Sequence, residues 1–341
     1  MRTTLRWAAL LPLAALTLAA CGNDTGNESG GDSGGSGEAG LTLSFANSYT
    51  EDHPHTRCGI DLVAEKVADA DAGMTVETFP NSQLGGNTET FASVMSGDID
   101  MDVQGSAALG STYEPIGVFD AAYAFDDADH LFGFFDSDAS DPLKDGFEEA
   151  TDTKILDVWY FGDRHFTANQ PIREPADLDG LRMRFPDSPI YLSNAEALGA
   201  DATAVAFEEV YLALQQGTVD GQENPIPTIH SDNFDEVQSH ISLSSHQIGS
   251  QMIVVSGQTW DKLSTEQQEV LQRAVSETRA ENRACIEEAE AEILDEWAAE
   301  GTIEVVDDVD VEAFRTQARA YFRENLDGRS LEFYESFQQA Q

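Results

Sequence analysis

Lysine and arginine together number only 18, against 63 acidic residues in a chain of 341, for a formal net charge of −45. So few cations exclude attraction to nucleic acid or to an anionic lipid surface by charge. A saline medium would screen the self-repulsion of such a chain, so a halophilic or halotolerant source is expected. Cysteine is scarcer still, with three in the whole sequence and no Cys-x-x-Cys pair. There is no Walker loop and no Gly-x-Gly-x-x-Gly. Gly-x-Ser-x-Gly does not occur in the part expected to fold. His53 and His55 flank Pro54 with no third metal ligand nearby, and His230, His240 and His246 are scattered. No repeat of about 20–50 residues is visible. The absences remove the usual signatures of nucleophilic, nucleotide-dependent and metal-dependent catalysis. They leave binding as the expected role, with no cofactor.

Long apolar runs are also missing, with one exception. Arg2 and Arg6 precede an apolar stretch, Trp7 to Ala20, that is short for a permanent membrane span. It ends in Leu18-Ala19-Ala20-Cys21, small residues before a cysteine, as where a lipoprotein signal is cut and the thiol carries a lipid. Residues 1–20 are therefore expected to be a lipoprotein signal peptide and Cys21 the lipidation site. Residues 21–40 hold mostly Gly, Ser, Asn, Asp, Glu and Thr, too polar to bury a core, and are expected to form a flexible tether. Within it, Gly31-Asp32-Ser33-Gly34-Gly35 spells the nucleophile loop of trypsin-like proteases. No core stands there to position a histidine partner, so the match carries no chemistry. With Cys21 lipidated, Cys58 and Cys285 remain, an even count in an oxidising compartment. A disulfide and two separate buried thiols are both compatible with this count.

About 300 residues follow, enough for two domains or one large one. Leu41 to Phe45 and Met74 to Phe79 read as strands, and His55 to Ala70 between them as a helix. Phe91 to Ser96 reads as helix, and Met101 to Gln104 and Lys154 to Phe161 as strands. Leu181 to Phe185 is a strand stopped by Pro186. Ile190 to Leu198 and Glu208 to Gln216 are helices closed by Gly199 and Gly217. Ile253 to Val255 is a strand of buried type. Ser264 with Gln267 three residues on is a capping box, and nothing breaks the following helix before Glu300. Phe314, Ala318 and Tyr321 mark one more helix. Strands alternating with helices indicate an α/β fold with largely parallel pairing.

The middle of the chain carries a succession of short motifs. They are Pro80-Asn81-Ser82-Gln83-Leu84-Gly85, Ser96-Gly97-Asp98-Ile99-Asp100, Gly162-Asp163-Arg164, Pro175 to Arg184, Leu198-Gly199-Ala200, Phe207 to Tyr211, Val219 to Pro225 and Phe234 to Val237. In this order they resemble the substrate-binding proteins of tripartite ATP-independent periplasmic (TRAP) transporters, the DctP family, over nearly the whole chain after the tether.

The resemblance implies a two-lobed periplasmic-binding-protein-like fold with crossing strands and a long helix spanning both lobes. Lobe I would hold 41–161 and 249–285, lobe II 162–248 and 286–341. It implies that Arg184 clamps a substrate carboxylate, that Arg164 supports the ligand or the closed cleft, that Asn224 is a further contact and that Phe207 lines the pocket. His53, Asn47 and Glu89 are looser candidates from the first lobe. A guanidinium at a strand end suits this role independently. Strand ends in α/β sheets open onto crevices, and the planar fork fits a carboxylate with two parallel hydrogen bonds. The competing role for either arginine is an internal salt bridge, and for Phe207 plain core packing. Arg182 is expected to be structural or at the surface. The protein expected is a monomeric extracytoplasmic lipoprotein that hands a small organic acid to an ion-coupled permease. The ligand would be a sugar acid, or alternatively a C4-dicarboxylate or another monocarboxylate. Presentation of ligand to a membrane receptor is the alternative class.

Overall fold

The computed structural model describes residues 40–339. The signal peptide, Cys21, the tether and the protease-like Gly31–Gly35 match lie outside them. Nine strands form one sheet: β1 (Leu41–Ala46), β2 (Met74–Phe79), β3 (Met101–Gln104), β4 (Thr153–Ala168), β5 (Arg182–Phe185), β6 (Asp201–Ala204), β7 (Gly221–Pro225), β8 (His240–Ser256) and β9 (Glu304–Val306). Their order is β2-β1-β3-β8-β4-β7-β5-β6, with β9 pairing β8. Helices alternate with the strands, as the sequence pattern requires. Among the described residues no helix is long and apolar enough to cross a membrane.

The sheet is organised by two strands much longer than the sequence suggests. β4 has 16 residues and β8 has 17, and they run antiparallel as a central ribbon. β3 pairs antiparallel with one end of the ribbon, Met101–Gln104 against Met252–Val255. β7 pairs antiparallel with the other end, Gly221–Pro225 against Arg164–Ala168. The parallel pairs lie outside the ribbon, as β1 with β2 and β3 and as β5 with β6 and β7. The expectation of largely parallel pairing is therefore corrected at the centre. The reason is that both long strands pass through both groups and meet head to tail.

Bulges interrupt the ribbon at Ile155/Asp157, Tyr160/Gly162 and Arg164/Phe166. Gly162 sits at φ +105°, where a side chain is strained, and a Cβ there would lie 2.8 Å from Cβ of Pro225. A Cβ on Gly249, its partner, would lie 2.6 Å from the Gly162 carbonyl oxygen. Two glycines thus let the backbones touch at the bulge, and the extra residue re-aims the side chains that follow.

The helix Thr265–Glu300 is the second tie. Ser264 Oγ accepts from Gln267 N at 3.3 Å and Gln267 Oε1 accepts from Ser264 N at 3.0 Å, the reciprocal cap expected. At 1.5 Å per residue the helix is about 54 Å long. Leu271, Ala274 and Val275 enter one core with Leu43, Phe45, Ile60 and Trp159. Ala289, Ile293 and Trp297 enter another with Val210, Ile229, Phe234 and Ile241. Ile286 joins the third core, built around Phe91, Phe119, Phe134, Phe185 and Phe314. One helix therefore contributes to all three. Its middle is bonded to the start of the chain by the Cys58–Cys285 disulfide, with Cα atoms 6.4 Å apart. Nearby, Asn282 Nδ2 donates to Pro54 O at 3.1 Å.

Shorter corrections follow from local geometry. The helix read from His55 opens as a π-turn, Thr56–Ile60, and only then becomes α-helical, Asp61–Asp69. The helix read from Phe91 starts at Asn87. In Val311–Asn325 the buried aromatic of the last turn is Phe322, while Tyr321 is half-buried with its hydroxyl donating to Glu196 at 2.7 Å.

Candidate binding cleft

β5 shows how the sequence places a cation inside. Met183 and Phe185 point into the apolar core and are fully buried. Arg182 and Arg184, at alternate positions, take the other face. Arg182 opens the strand at the surface and pairs with Asp220 at 2.6 Å. Arg184 is only 2% exposed. Pro186, which has no N–H to give the ladder, ends the strand just beyond it.

Arg184 lines a cleft of about 700 Å³. One wall comes from residues before the ribbon: Tyr49, Ser82, Gly86 to Glu89, Gln104, Gly105 and the helix that follows. The opposite wall holds Arg164, Arg184, Tyr191, Val205 to Glu208 and Asn224. Phe161 and Gln251, on the two ribbon strands, also line it. Ser82 Oγ donates to Glu208 Oε1 across the walls at 3.5 Å.

The two arginines differ in what they have left to give. Arg184 spends only Nε, which donates to Val205 O at 3.0 Å; among the described residues its terminal nitrogens have no protein partner. Burial lowers its pKa to about 10, with Glu223 opposing that and Arg164 adding to it, so it is cationic at neutral pH. Arg164, 3% exposed, is largely committed. Its Nε donates to Glu223 Oε2 at 2.5 Å, and its Nη2 to Glu223 Oε1 at 2.8 Å, Glu223 O at 2.8 Å and Asn224 Oδ1 at 2.9 Å. Its guanidinium also lies over the Tyr191 ring at 5.3 Å. Glu223 is fully buried and further touched by His246 Nε2 at 3.3 Å. Burial alone would raise the Glu223 pKa, but the Arg164 charge and hydrogen bonds hold it below its ordinary value.

The other sequence candidates divide. Phe207 lines the cleft and also packs edge-on against Tyr49 and Phe234, each at 6.4 Å. Asn224 lines it with its amide shared between Arg164 and Gln222, to which Nδ2 donates at 2.6 Å. Glu89 is an exposed lining residue. His53 and Asn47 do not line the cleft. The His53 ring stacks on Tyr49 at 4.6 Å with Nε2 3.3 Å from Thr228 Oγ1, and burial pushes its pKa down to about 3. Asn47 Oδ1 accepts from Tyr49 N at 3.0 Å and Nδ2 donates to Thr56 Oγ1 at 3.1 Å, which shapes the loop that presents Tyr49.

Sequence reasoning missed Gln104, Gln251 and Tyr191. Gln104 and Gln251 each stand at the polar end of an apolar strand segment, Met101-Asp102-Val103 and Met252 to Val255. That is the position where a strand opens onto a crevice, so the signal was present. Tyr191 lies on a helix whose apolar pattern hides it.

Residues 48–327 match the bacterial extracellular solute-binding proteins, family 7. The sialic acid-binding periplasmic protein of Vibrio cholerae is 33% identical over 246 residues, 72% of this chain and 76% of that protein. A TRAP periplasmic solute-binding protein from Roseobacter denitrificans, solved with bound L-galactonate, superposes with a TM-score of 0.81 at 28% identity, covering 87% of this chain and 98% of that one. Another from Shewanella oneidensis, with bound succinate, gives a TM-score of 0.82 at 25% identity, covering 89% and 99%. Crossing strands, long helix and cleft match the two-lobed architecture of these proteins, which bind substrates for transporters and catalyse no reaction. The chain belongs to family 7 of the bacterial extracellular solute-binding proteins, the DctP family of TRAP substrate-binding proteins.

Proposed function

We propose that this protein captures a small organic acid through Arg184 and delivers it to the membrane subunits of a TRAP transporter. The carrying observation is a buried guanidinium whose terminal nitrogens have no partner among the described residues, inside a cleft of about 700 Å³. Two parallel N–H donors match a carboxylate and remain charged at any working pH. Asn224, Arg164, Phe207 and Glu89 stand around the same space, with Arg164 acting mainly by fixing Glu223 and Asn224.

Lobe I, 41–161 and 249–285, and lobe II, 162–248 and 286–341, are joined by the ribbon near Gly162 and Gly249 and by the long helix. Ligand bridging the two walls favours closure, because only a state that contacts it on both sides gains the added affinity. The protein acts as a monomer, held at the outer face of the cytoplasmic membrane by a lipid on Cys21. The sialic acid- and L-galactonate-binding relatives favour a sugar acid as ligand, while the succinate-bound relative favours a C4-dicarboxylate as the second reading.

Isothermal titration against a panel of organic acids tests the clamp. Arg184→Ala is expected to weaken the best ligand by at least about 100-fold, since a charge-assisted bidentate pair in a desolvated site is worth roughly 3 kcal/mol. Unchanged affinity would reject it.

A further inference from the structure

Charge behind the cleft is balanced before any ligand enters. Arg164 and Arg184 supply two cations, at 3% and 2% exposure. Glu223, fully buried, is the anion paired with Arg164, and its charge also reaches Arg184. A further ionisable group stands behind the same wall. Asp120 closes the 3₁₀ helix Glu114–Asp120 and is 1% exposed. Its Oδ2 accepts from the Tyr191 hydroxyl at 3.2 Å, and the Tyr191 ring carries the Arg164 guanidinium on its other side. With Asp120 ionised, two cations meet two anions. An incoming carboxylate then leaves a negative charge uncompensated in a desolvated site. With Asp120 neutral, the same carboxylate completes the balance.

The surroundings of Asp120 serve both of its protonation states. Its carboxyl is met by three hydroxyls: Ser106 Oγ at 2.5 Å and Tyr191 on Oδ2, and Ser250 Oγ at 3.1 Å on Oδ1. A hydroxyl can donate or accept. Ser106 Oγ also lies 3.3 Å from Gly117 O, so it can turn its hydrogen to that carbonyl and accept from a protonated Asp120. Burial raises the Asp120 pKa above its ordinary value, against the Ser106 hydroxyl, the Arg164 charge and the other two hydroxyls. The titratable groups facing it are Arg164 from β4, Tyr191 from the helix Pro189–Leu198 and Tyr49 from the loop after β1, with Glu223 of β7 beyond Tyr191. Burial keeps both tyrosines neutral. The helix Ser106–Gly110 and β8 face it with Ser106 and Ser250. The helices Asp141–Thr151 and Gly328–Phe337, packed on the same turn from outside, carry their charges at the surface.

We propose that Asp120 takes up a proton as the ligand's carboxylate settles on Arg184, so that capture of the acid is coupled to a proton from solvent. This rests on the reading of Arg184 as the anchor. The proton returns to solvent on release, and no bond of the ligand changes. The linkage is reciprocal. The ligand's charge favours neutral Asp120, and neutral Asp120 favours the ligand by the same factor. Only the charges of the two end states matter, so Asp120 need not touch the ligand. A second negative charge nearby raises the Asp120 pKa in the complex above its value in the free protein. Affinity is therefore greatest below the free value. It falls as pH rises between the two values and levels off above the complexed one. Capture is strongest in a mildly acidic medium.

The test is titration calorimetry on the purified mature protein with L-galactonate and sialic acid, acids that its relatives bind. The tighter binder is measured from about pH 5.5 to about pH 8.5, above the titration of its own carboxyl, in buffers of low and high ionisation enthalpy. The buffer dependence of the heat is expected to report net proton uptake, and affinity to fall by about ten-fold across the window. Asp120→Asn keeps an acceptor oxygen and is expected to bind with no proton uptake and a flat profile. Ser106→Ala removes a bond that favours the ionised carboxylate, so it is expected to move the fall in affinity to higher pH. A merely structural role would not move it. Thermal unfolding shows that each variant folds. Asp102 is the rival group, pushed up to about 7 by burial and bonded to the lining residue Gln104 at 2.6 Å. Asp102→Asn is expected to keep the slope. Heat independent of buffer, with constant affinity over the window, overturns the linkage. A slope that survives Asp120→Asn overturns its assignment to Asp120. Either result leaves the anchor standing when Arg184→Ala abolishes binding. Binding that survives Arg184→Ala overturns the anchor instead.

Discussion

Glu223→Gln removes one charge from the buried pair and leaves its shape. In the wild type Arg164 is 3% exposed and Glu223 fully buried, joined by contacts of 2.5 and 2.8 Å. At an effective dielectric constant of about 20, charges this close attract by roughly 6 kcal/mol, and most of that offsets the cost of taking both ions out of water. The variant keeps Arg164 desolvated without its counter-ion, a situation that costs roughly 3–5 kcal/mol. Glutamine can still accept one hydrogen bond, and Glu223 O and Asn224 Oδ1 go on accepting from Nη2, so the low end, about 3 kcal/mol, is expected. For a folded part of about 300 residues that is a fall in Tm of about 5 °C. Removing both charges together, as Arg164→Leu with Glu223→Leu, is expected to recover part of the loss. The pH dependence has a definite sign. The folded pKa of Glu223 lies below its ordinary 4.5, so its stabilisation is complete above about pH 4.5 and is lost as pH falls through the lower folded value. Denaturant melts of the single and double variants, read at pH 7 and in acid, supply the numbers. A cost under about 1 kcal/mol for the single variant would refute the claim that Arg164 is occupied structurally. It would return Arg164 to the ligand as a second free clamp.

Gly162→Ala forces a side chain onto φ +105° and within 2.8 Å of Pro225 Cβ; a loss of roughly 3 kcal/mol or more is expected in chemical denaturation, from strain plus overlap. Glu290 is pushed up to about 8 by burial, with the charges of Asp163 and Glu287 adding to it and a hydrogen bond from the Asp163 backbone opposing it, and its Oε1 has no partner among the described residues. Its penalty therefore grows as pH rises from about 4.5 to about 8, and Glu290→Gln should gain on the wild type by up to about 1.4 kcal/mol per pH unit across that window, which thermal melts at stepped pH would measure. Replacing both Cys58 and Cys285 by serine opens a loop with a sequence separation of 227 and is expected to cost about 2–5 kcal/mol in equilibrium unfolding.

The boundary between what was and was not legible in the sequence runs through the central ribbon. Ile253 to Val255 and the Lys154 to Phe161 run announce themselves as strands because they carry apolar residues packed by their neighbours. The other half of the ribbon carries Asp163, Arg164, His165, Ser242, Ser244 and His246, and reads as loop. Most of these residues find a partner on another segment. Arg164 finds Glu223, the His165 Nδ1 accepts from Ser245 N at 3.1 Å, Ser242 Oγ accepts from Ile172 N at 2.9 Å, and His246 Nδ1 lies 2.8 Å from Ser244 Oγ. Most of that pairing is long-range, so no local window contains it. The same argument explains the cleft. Arg184 was singled out by the family resemblance, and its place at the end of a strand stopped by Pro186 supported that reading. Arg164 was expected to support the ligand or the closed cleft, with an internal salt bridge as the competing role, and its ion-pair partner Glu223 lies 59 residues away. Gln104 and Gln251 looked unremarkable, yet among the described residues their buried Oε1 atoms have no partner. Polarity is written in the sequence; the remainder after internal pairing appears only once the strands are laid side by side.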